Sequence, residues 1–223
     1  MLSFKNVEFN YQAQPVFSDL NFDLSQNEFC YVIGKSGAGK STFLQLIYMN
    51  ILPSYGRIIF DKYDSQTIKP RELPMLRRKL GIIFQDFKLL RDRNIYENLS
   101  FVLEATSRTR SEIKKRVNDA LTDVGLSHRR YSMPDELSGG EKQRIAIARA
   151  IVNDPMLILA DEPTGNLDPE TSLEILDIIK KINARGTAVI LATHNYELIK
   201  SHNAKIIKIE DGKALKVVLK PKQ

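Results

Sequence analysis

Gly34-Lys35-Ser36-Gly37-Ala38-Gly39-Lys40-Ser41-Thr42 fits the spacing G-x-x-x-x-G-K-[ST]. Glycines at 34, 37 and 39 let backbone amides turn inward on phosphate oxygens with no Cβ in the way. Lys40 then supplies a point charge for β- and γ-phosphates, and the Ser41 hydroxyl is a ligand for Mg²⁺. The apolar run Phe29 to Ile33 reads as a buried strand entering the loop, and Phe43, Leu44, Leu46 and Ile47 give the following segment an apolar helical face. A helix starting near Gly39 aims its positive end at the same anion. A glycine-rich turn that binds nothing would need none of these neighbours.

Two further groups could work on the bound phosphate. Leu157-Ile158-Leu159-Ala160 ends in Asp161-Glu162, which delivers two carboxylates to the end of a strand, where parallel sheets bind ligands. Asp161 would hold Mg²⁺ through water, and Glu162 would orient and deprotonate the water that attacks the γ-phosphate. An acidic pair after a strand serves equally well as a helix cap; the phosphate loop in the same chain favours the chemistry. Leu137-Ser138-Gly139-Gly140-Glu141 is a second anion site, with the Ser138 hydroxyl and the amides of Gly139 and Gly140 at the start of a helix. A serine-glycine cap explains its first residues and not the whole run.

Elements that could position these groups follow from periodicity. Leu2 to Phe9 and Val16 to Leu24 alternate as paired antiparallel strands; further strands are expected at Arg57 to Asp61, Gly81 to Phe84, Met156 to Ala160 and Ala188 to Ala192. From about Asp86 to Met133 the pattern becomes helical. There Thr109-Arg110-Ser111-Glu112 has capping-box form, Ile113, Val117, Leu121 and Val124 keep one face apolar, and Gly125 ends the run. Helices are expected from about Gly140 and from Asp168-Pro169, and Asp211-Gly212 marks a closing hairpin. With 223 residues, 43% of them hydrophobic, and no repeat or long linker, the chain reads as one α/β domain. Residues 1–85 and 155–223 would form its core, with about 86–154 as an inserted helical part.

Composition excludes several classes. The single cysteine, Cys30, lies in an apolar strand, so no disulfide framework is possible and a reducing cytoplasm suits the chain. Met1 to Lys5 has no apolar leader, and the longest apolar runs are too short to cross a bilayer. A soluble protein is expected, which would act at a membrane through a partner. The net charge of +6 is spread over Arg77 to Lys79, Arg108 to Arg116, Arg129-Arg130 and the tail from Lys205 to Lys222. Without interleaved aromatics this is first a solvated face, and second an attraction to an anionic membrane surface or acidic partner; no direct nucleic-acid contact is expected.

The run Leu137 to Glu141, continuing Lys142-Gln143-Arg144-Ile145-Ala146-Ile147-Ala148-Arg149-Ala150, resembles the signature of the ABC-type ATPases, the nucleotide-binding subunits of ABC transporters. The resemblance covers essentially the whole chain. It implies a P-loop ATPase core with an N-terminal antiparallel β-subdomain and an inserted α-helical subdomain. It also implies Mg²⁺-dependent ATP hydrolysis in a head-to-tail homodimer enclosing two ATP molecules. Each nucleotide would meet Tyr11, stacking on adenine, the loop Gly34, Lys35, Ser36, Gly37, Ala38, Gly39, Lys40, Ser41 and Thr42, and the other copy's Ser138, Gly139, Gly140 and Glu141. Gln85 would sense Mg²⁺ and water and connect to the membrane partner, His194 would contact the γ-phosphate, and Asn166-Leu167-Asp168 would cross the dimer seam. The implied catalytic set is Glu162, His194, Gln85 and Lys40, and the metal set Ser41, Gln85 and Asp161.

Phe84-Gln85-Asp86-Phe87-Lys88-Leu89-Leu90 with Ile95-Tyr96-Glu97-Asn98 is similar to the cell-division branch of that family. The branch implies an integral membrane FtsX-like partner at the cytoplasmic face of the bacterial inner membrane and control of peptidoglycan hydrolases. Lys35, Arg91 and Lys142 depart from the branch pattern, and Arg91 falls where the membrane partner should dock. Lipoprotein-release and macrolide-type exporter ATPases share much of the sequence and stay as alternatives. So does a nucleic-acid-associated ATPase, although Lys40 and Ser138 lie only 98 positions apart, which leaves no room for a long coiled coil.

Overall fold

The computed structural model describes residues 1–12, 14–106, 108–200 and 204–217. Strand β1 (Leu2–Tyr11) pairs antiparallel with β2 (Gln14–Leu24), yet the apolar alternation changes phase within both strands. Register shifts between Phe4 and Val7 explain this, because they bring Leu2, Phe4, Val7 and Phe9 to one buried face. Asn6 and Asp19 take left-handed backbone there, with φ of 49° and 58°. A polar clasp closes the bulge: Asn6 donates from its backbone N–H to Asn21 Oδ1 at 2.9 Å and from Nδ2 to Asp19 Oδ1 at 2.8 Å.

Strand β3 (Phe29–Ile33) then leads into α1 (Lys40–Ile47), and β4 (Tyr55–Phe60) and the two-residue β5 (Tyr63–Asp64) complete a four-stranded antiparallel sheet in the order β2-β1-β4-β5. The short helix α2 (Leu73–Arg77) precedes β6 (Leu80–Ile83), after which come α3 (Ile95–Glu104), α4 (Arg110–Asp123) and α5 (Gly139–Ile151). The remaining elements are β7 (Leu157–Asp161), α6 (Pro169–Ala184), β8 (Ala188–Thr193), α7 (Tyr196–Lys200), β9 (Lys205–Glu210) and β10 (Lys213–Val217). The second sheet runs β10-β9-β3-β8-β7-β6, parallel throughout except for the edge strand β10.

Successive residues of the parallel strands feed two different cores. Phe29, Tyr31 and Ile33 join Ile158, Ala160, Val189 and Leu191 against the helices α3 to α6. Cys30 and Val32 join Leu157, Leu159 and Ile190 against α1 and the antiparallel sheet. This two-sided burial explains why the strands read as continuous apolar runs. Phe43 of α1 stacks on Phe4 at 5.0 Å and meets Phe22 edge-on at 5.2 Å, which fixes the helix between the sheets.

Several boundaries differ from the sequence expectation. The strand expected at Arg57 to Asp61 spans Tyr55–Phe60, and the one expected to end at Phe84 stops at Ile83. Nothing in the sequence pattern marked β5, which is held by pairing with β4 at Ile59 and Phe60. The Thr109 capping box and the hairpin turn at Asp211-Gly212 occur as expected. Each basic cluster has a member paired within the chain: Lys79 with Asp61, Arg116 with Asp154, Arg129 with Glu141 and Lys205 with Glu28. Of the expected basic tail, residues 218–223 lie outside the described residues.

Candidate functional site

The phosphate-type loop bridges the C-terminal end of β3 and the first turn of α1. Gly39 caps the helix with φ 102°, and a Cβ there would stand 3.0 Å from Val16 and 3.1 Å from the Phe17 ring, so both conformation and space select glycine. The first turn of α1 carries no acidic residue of its own, so an anion at its positive end meets no carboxylate from the helix itself. Lys40 is 8% exposed, and its Nζ donates to the carbonyl oxygens of Gly34 and Lys35 at 3.0 and 3.3 Å. The lysine thus curls back over its own loop, leaving its ammonium at the loop's mouth.

Glu162 completes the centre from the end of β7. Its Oε1 lies 2.9 Å from His194 Nδ1 and 3.4 Å from Lys40 Nζ, and its Oε2 accepts the His194 backbone N–H at 3.3 Å. A backbone φ of 47° turns the side chain out of the strand direction, held by Glu162 N–H to Ala192 O at 2.9 Å and Gly165 N–H to Glu162 O at 3.0 Å. Left-handed backbone at a non-glycine residue signals a conformation fixed by its surroundings. Asp161, one residue earlier, hydrogen-bonds Ser41; burial pushes its carboxyl above the ordinary range, Glu162 adds to this, and Ser41 and Lys40 oppose it.

The outer residues are arranged in two groups. Gln85 is exposed, with its amide against Gly165, where a Cβ would stand 3.1 Å from Gln85 Nε2. The Asn166 amide reaches the Gln85 carbonyl at 3.4 Å, so the loop after Glu162 and the loop after β6 touch. Tyr11 is 45% exposed at the end of β1, its ring edge-on to Phe9 at 4.8 Å. Ser138 caps α5 and exchanges hydrogen bonds with Glu141 at 2.9 and 3.2 Å. Within 4 Å of a Cβ at Gly139 or Gly140 the neighbours are Leu167 and Thr171, so in its own chain the signature faces the loop preceding α6 and that helix's first turn. Glu141 turns back onto Ser138 and Arg129, which hold its carboxyl below the ordinary range.

The donor set suits Mg²⁺ carried by a polyphosphate. Ser41 and Asp161 are hard oxygen donors side by side, while no group of three or more His, Cys, Asp or Glu among the described residues could cage a metal alone. Magnesium is characteristically bound this way, by one or two protein oxygens with phosphate and water supplying the rest. Sequence reasoning gave no role to Asn98, which is fully buried. Its Oδ1 accepts Leu90 N–H at 2.8 Å while Nδ2 donates to the carbonyls of Leu90, Arg93 and Asn94, each at 3.0 Å. An asparagine at the fourth position of a helix carries no local signal for such a clamp.

Comparison with known proteins gives consistent matches. Residues 17–165 match the family model described as ABC transporter. The cell division ATP-binding protein FtsE of Bacillus subtilis (strain 168) is 47% identical over 205 residues, covering 90% of this chain and 89% of that protein. FtsE of Escherichia coli (strain K12) is 43% identical over 200 residues, 89% of this chain and 90% of that protein. The dimeric structure of MJ0796, a bacterial ABC transporter cassette, superposes with a TM-score of 0.86 at 33% identity over 96% of each chain. Its dimeric post-hydrolysis state bound to ADP and Pi gives 0.87 at 31% identity, covering 99% of this chain and 100% of that one.

Proposed function

Because the chain belongs to the ABC transporter family of ATP-binding cassettes, we propose that it is the ATP-hydrolysing subunit of an FtsEX-like complex. Two copies close head to tail on two ATP molecules, and the motion passes to a membrane-embedded FtsX-like partner that controls peptidoglycan hydrolysis in cell division. The observation that carries the hydrolytic part of this reading is the Glu162 carboxylate held between His194 Nδ1 and Lys40 Nζ beside the phosphate loop, and the division role is supported by the likeness to the FtsE proteins.

The placement of each residue supports a role in this reading. Lys40 exchanges its two loop carbonyls for β- and γ-phosphate oxygens, with the amides at the start of α1 aimed at the same charge. Ser41 and Asp161, with Gln85 at the edge, would hold Mg²⁺, which supplies charge neutralisation on the phosphates when bound. Glu162 accepts the proton of the attacking water; the His194 imidazole orients that carboxylate and faces the γ-phosphate. The exposed Tyr11 face takes the base by stacking. Ser138, Gly139 and Gly140 of the second copy close the site at the positive end of α5, which Glu141 supports by bonding the Ser138 backbone N–H.

Residues 1–85 and 155–223 form the nucleotide-binding part in this reading, and about 86–154 the helical part. Docking of the membrane partner is supported at the far end of the Gln85 loop, where Phe101 is 50% exposed, as is Met75 on α2. Arg93 of that loop lies over the Phe101 ring at 4.9 Å, while Arg78 contacts Met75 Sδ at 3.3 Å and the Ala105 carbonyl just after α3 at 2.5 Å. No helix among the described residues is long and apolar enough to cross a membrane, so the proposed location is peripheral, at the inner face of the cell membrane through that partner.

The test has two parts. Purified protein should release phosphate from MgATP, and Lys40→Ala should lose nucleotide binding; unchanged affinity in that variant refutes the loop assignment. Glu162→Gln protein loaded with ATP is then used to capture partners from detergent-solubilised native membranes. A four-span FtsX-like protein supports the division role, whereas a lipoprotein-release or exporter permease refutes it and leaves the catalytic roles standing.

A further inference from the structure

Arg149 lies near the C-terminal end of α5, the helix whose N-cap is Ser138. Its guanidinium donates from Nη1 to the Lys88 carbonyl at 2.5 Å and from Nη2 to the Phe87 carbonyl at 2.8 Å. Phe87 and Lys88 are consecutive non-glycine residues in left-handed backbone, with φ of 61° and 50°, two and three positions after Gln85. Bulky residues hold that conformation only where the surroundings impose it. Burial lowers the Arg149 pKa, so this cation has been withdrawn from water to meet two carbonyl oxygens.

The rest of the loop and the helix are equally fixed. A Cβ at Gly81 would stand 2.4 Å from the Ala150 carbonyl, which puts the backbone of β6 in contact with α5 one residue beyond Arg149. Asn98 grips the other end of the loop through Leu90 and Arg93. The loop carrying Gln85 is therefore fastened to α5 near one end and to α3 at the other. Along α5, Ser138 and Arg149 are separated by about 17 Å of rigid helix.

We propose that Arg149 is a positioning residue for ATP hydrolysis: it locks the Gln85 loop to the helix that presents Ser138, so that the two move as one body. In the composite site proposed above, on which this rests, Gln85 faces the nucleotide of its own copy and Ser138 faces that of the other. The Arg149 fork therefore links the two nucleotide sites through one element, with a fixed contact at each end.

The experiment measures MgATP turnover, nucleotide affinity and thermal midpoint for the wild type, R149Q, Q85A, the R149Q/Q85A double variant, K88G and R149Q/K88G. R149Q is expected to bind nucleotide within about twofold of wild type while turnover falls about tenfold, the size of one discrete coupling element. The double variant should be no slower than the slower single, because both substitutions disable the same loop. Glycine at 88 removes the left-handed penalty, so K88G should recover part of the R149Q loss and leave the wild-type background unchanged. A merely structural arginine would show no such rescue. Wild-type turnover in R149Q, multiplying losses in the double variant, or no recovery with K88G each overturns the proposal. If R149Q does not fold, R149K decides: it replaces the planar two-nitrogen fork by one flexible ammonium that does not hold the two carbonyls in the guanidinium's fixed geometry, so unchanged turnover there also overturns it. Absence of turnover in the wild type instead fails the ATPase reading, before any variant is compared.

Discussion

Glu162→Gln separates the chemistry of the centre from its architecture. The substitution keeps volume and the left-handed backbone at φ 47°, since the hydrogen bonds that fix the turn are made by the main chain. Of the side-chain contacts, one amide oxygen can still take His194 Nδ1 and Lys40 Nζ, at 2.9 and 3.4 Å in the native structure. The amide NH₂ then faces the His194 N–H, whose bond to Oε2 at 3.3 Å is lost. One such bond is worth about 1 kcal/mol, or roughly 2–4 °C of thermal midpoint for a chain of this size. Loss of the base is larger: general-base catalysis contributes about 10²–10⁴-fold, or about 2.7–5.4 kcal/mol. Removing the carboxylate also removes its repulsion of the γ-phosphate, so ATP should be held at least as tightly and the closed dimer should accumulate. Phosphate release, equilibrium nucleotide binding and light scattering with MgATP measure the three quantities. Turnover within about fivefold of wild type, in a variant that binds ATP normally, lies below the range for a lost base and would refute Glu162 as that base.

Three other outcomes follow from the same geometry. Ser138→Arg puts a long cation at the exposed start of α5; ATP binding to the monomer should survive while the ATP-induced dimer is lost, and a dimer persisting in light scattering would contradict the composite site. For Asp161, burial raises the folded pKa above 3.8, so its stabilising contribution is complete below that value and is lost as pH rises through the raised folded pKa. Asp161→Asn should therefore melt at or above the wild-type temperature at pH 7, with the gap closing toward pH 4, while Mg²⁺-dependent turnover is lost; thermal scans across pH check the sign. Cys30 is buried, with its thiol pushed up to about 12; at pH 8 on the order of one thiol in ten thousand is ionised, so iodoacetamide should label only unfolded protein, which mass spectrometry of native and denatured samples will show.

Residues close in sequence declared themselves in the sequence. The loop Gly34 to Thr42, the apolar strand before it and the apolar helix after it are one continuous stretch, and the Thr109, Ser138 and Asp168 caps each close on the third residue after the cap. Hydrogen bonds this short in sequence are set by local residue type, so pattern suffices to find them. Glycine at 39 was legible for the same reason, because its left-handed turn is demanded by the step from strand to helix.

Tertiary structure decided what depends on where distant segments return. The phase change in β1 and β2 arises from Asn6 and Asp19 meeting across the hairpin, and an alternation count sees only the broken pattern. The order β10-β9-β3-β8-β7-β6 follows from which parallel strands bury which faces, a choice shared among all of them. Glu162 meets His194 from 32 positions away, and Arg149 reaches Phe87 from 62. The sequence by itself determined a phosphate-binding loop and the residue types able to work beside it. Only the fold decided that one carboxylate lies between a lysine and a histidine, and that one arginine holds a strained loop. Such contacts are made through space, after the chain has closed on itself, and their partners leave no periodicity in the intervening sequence.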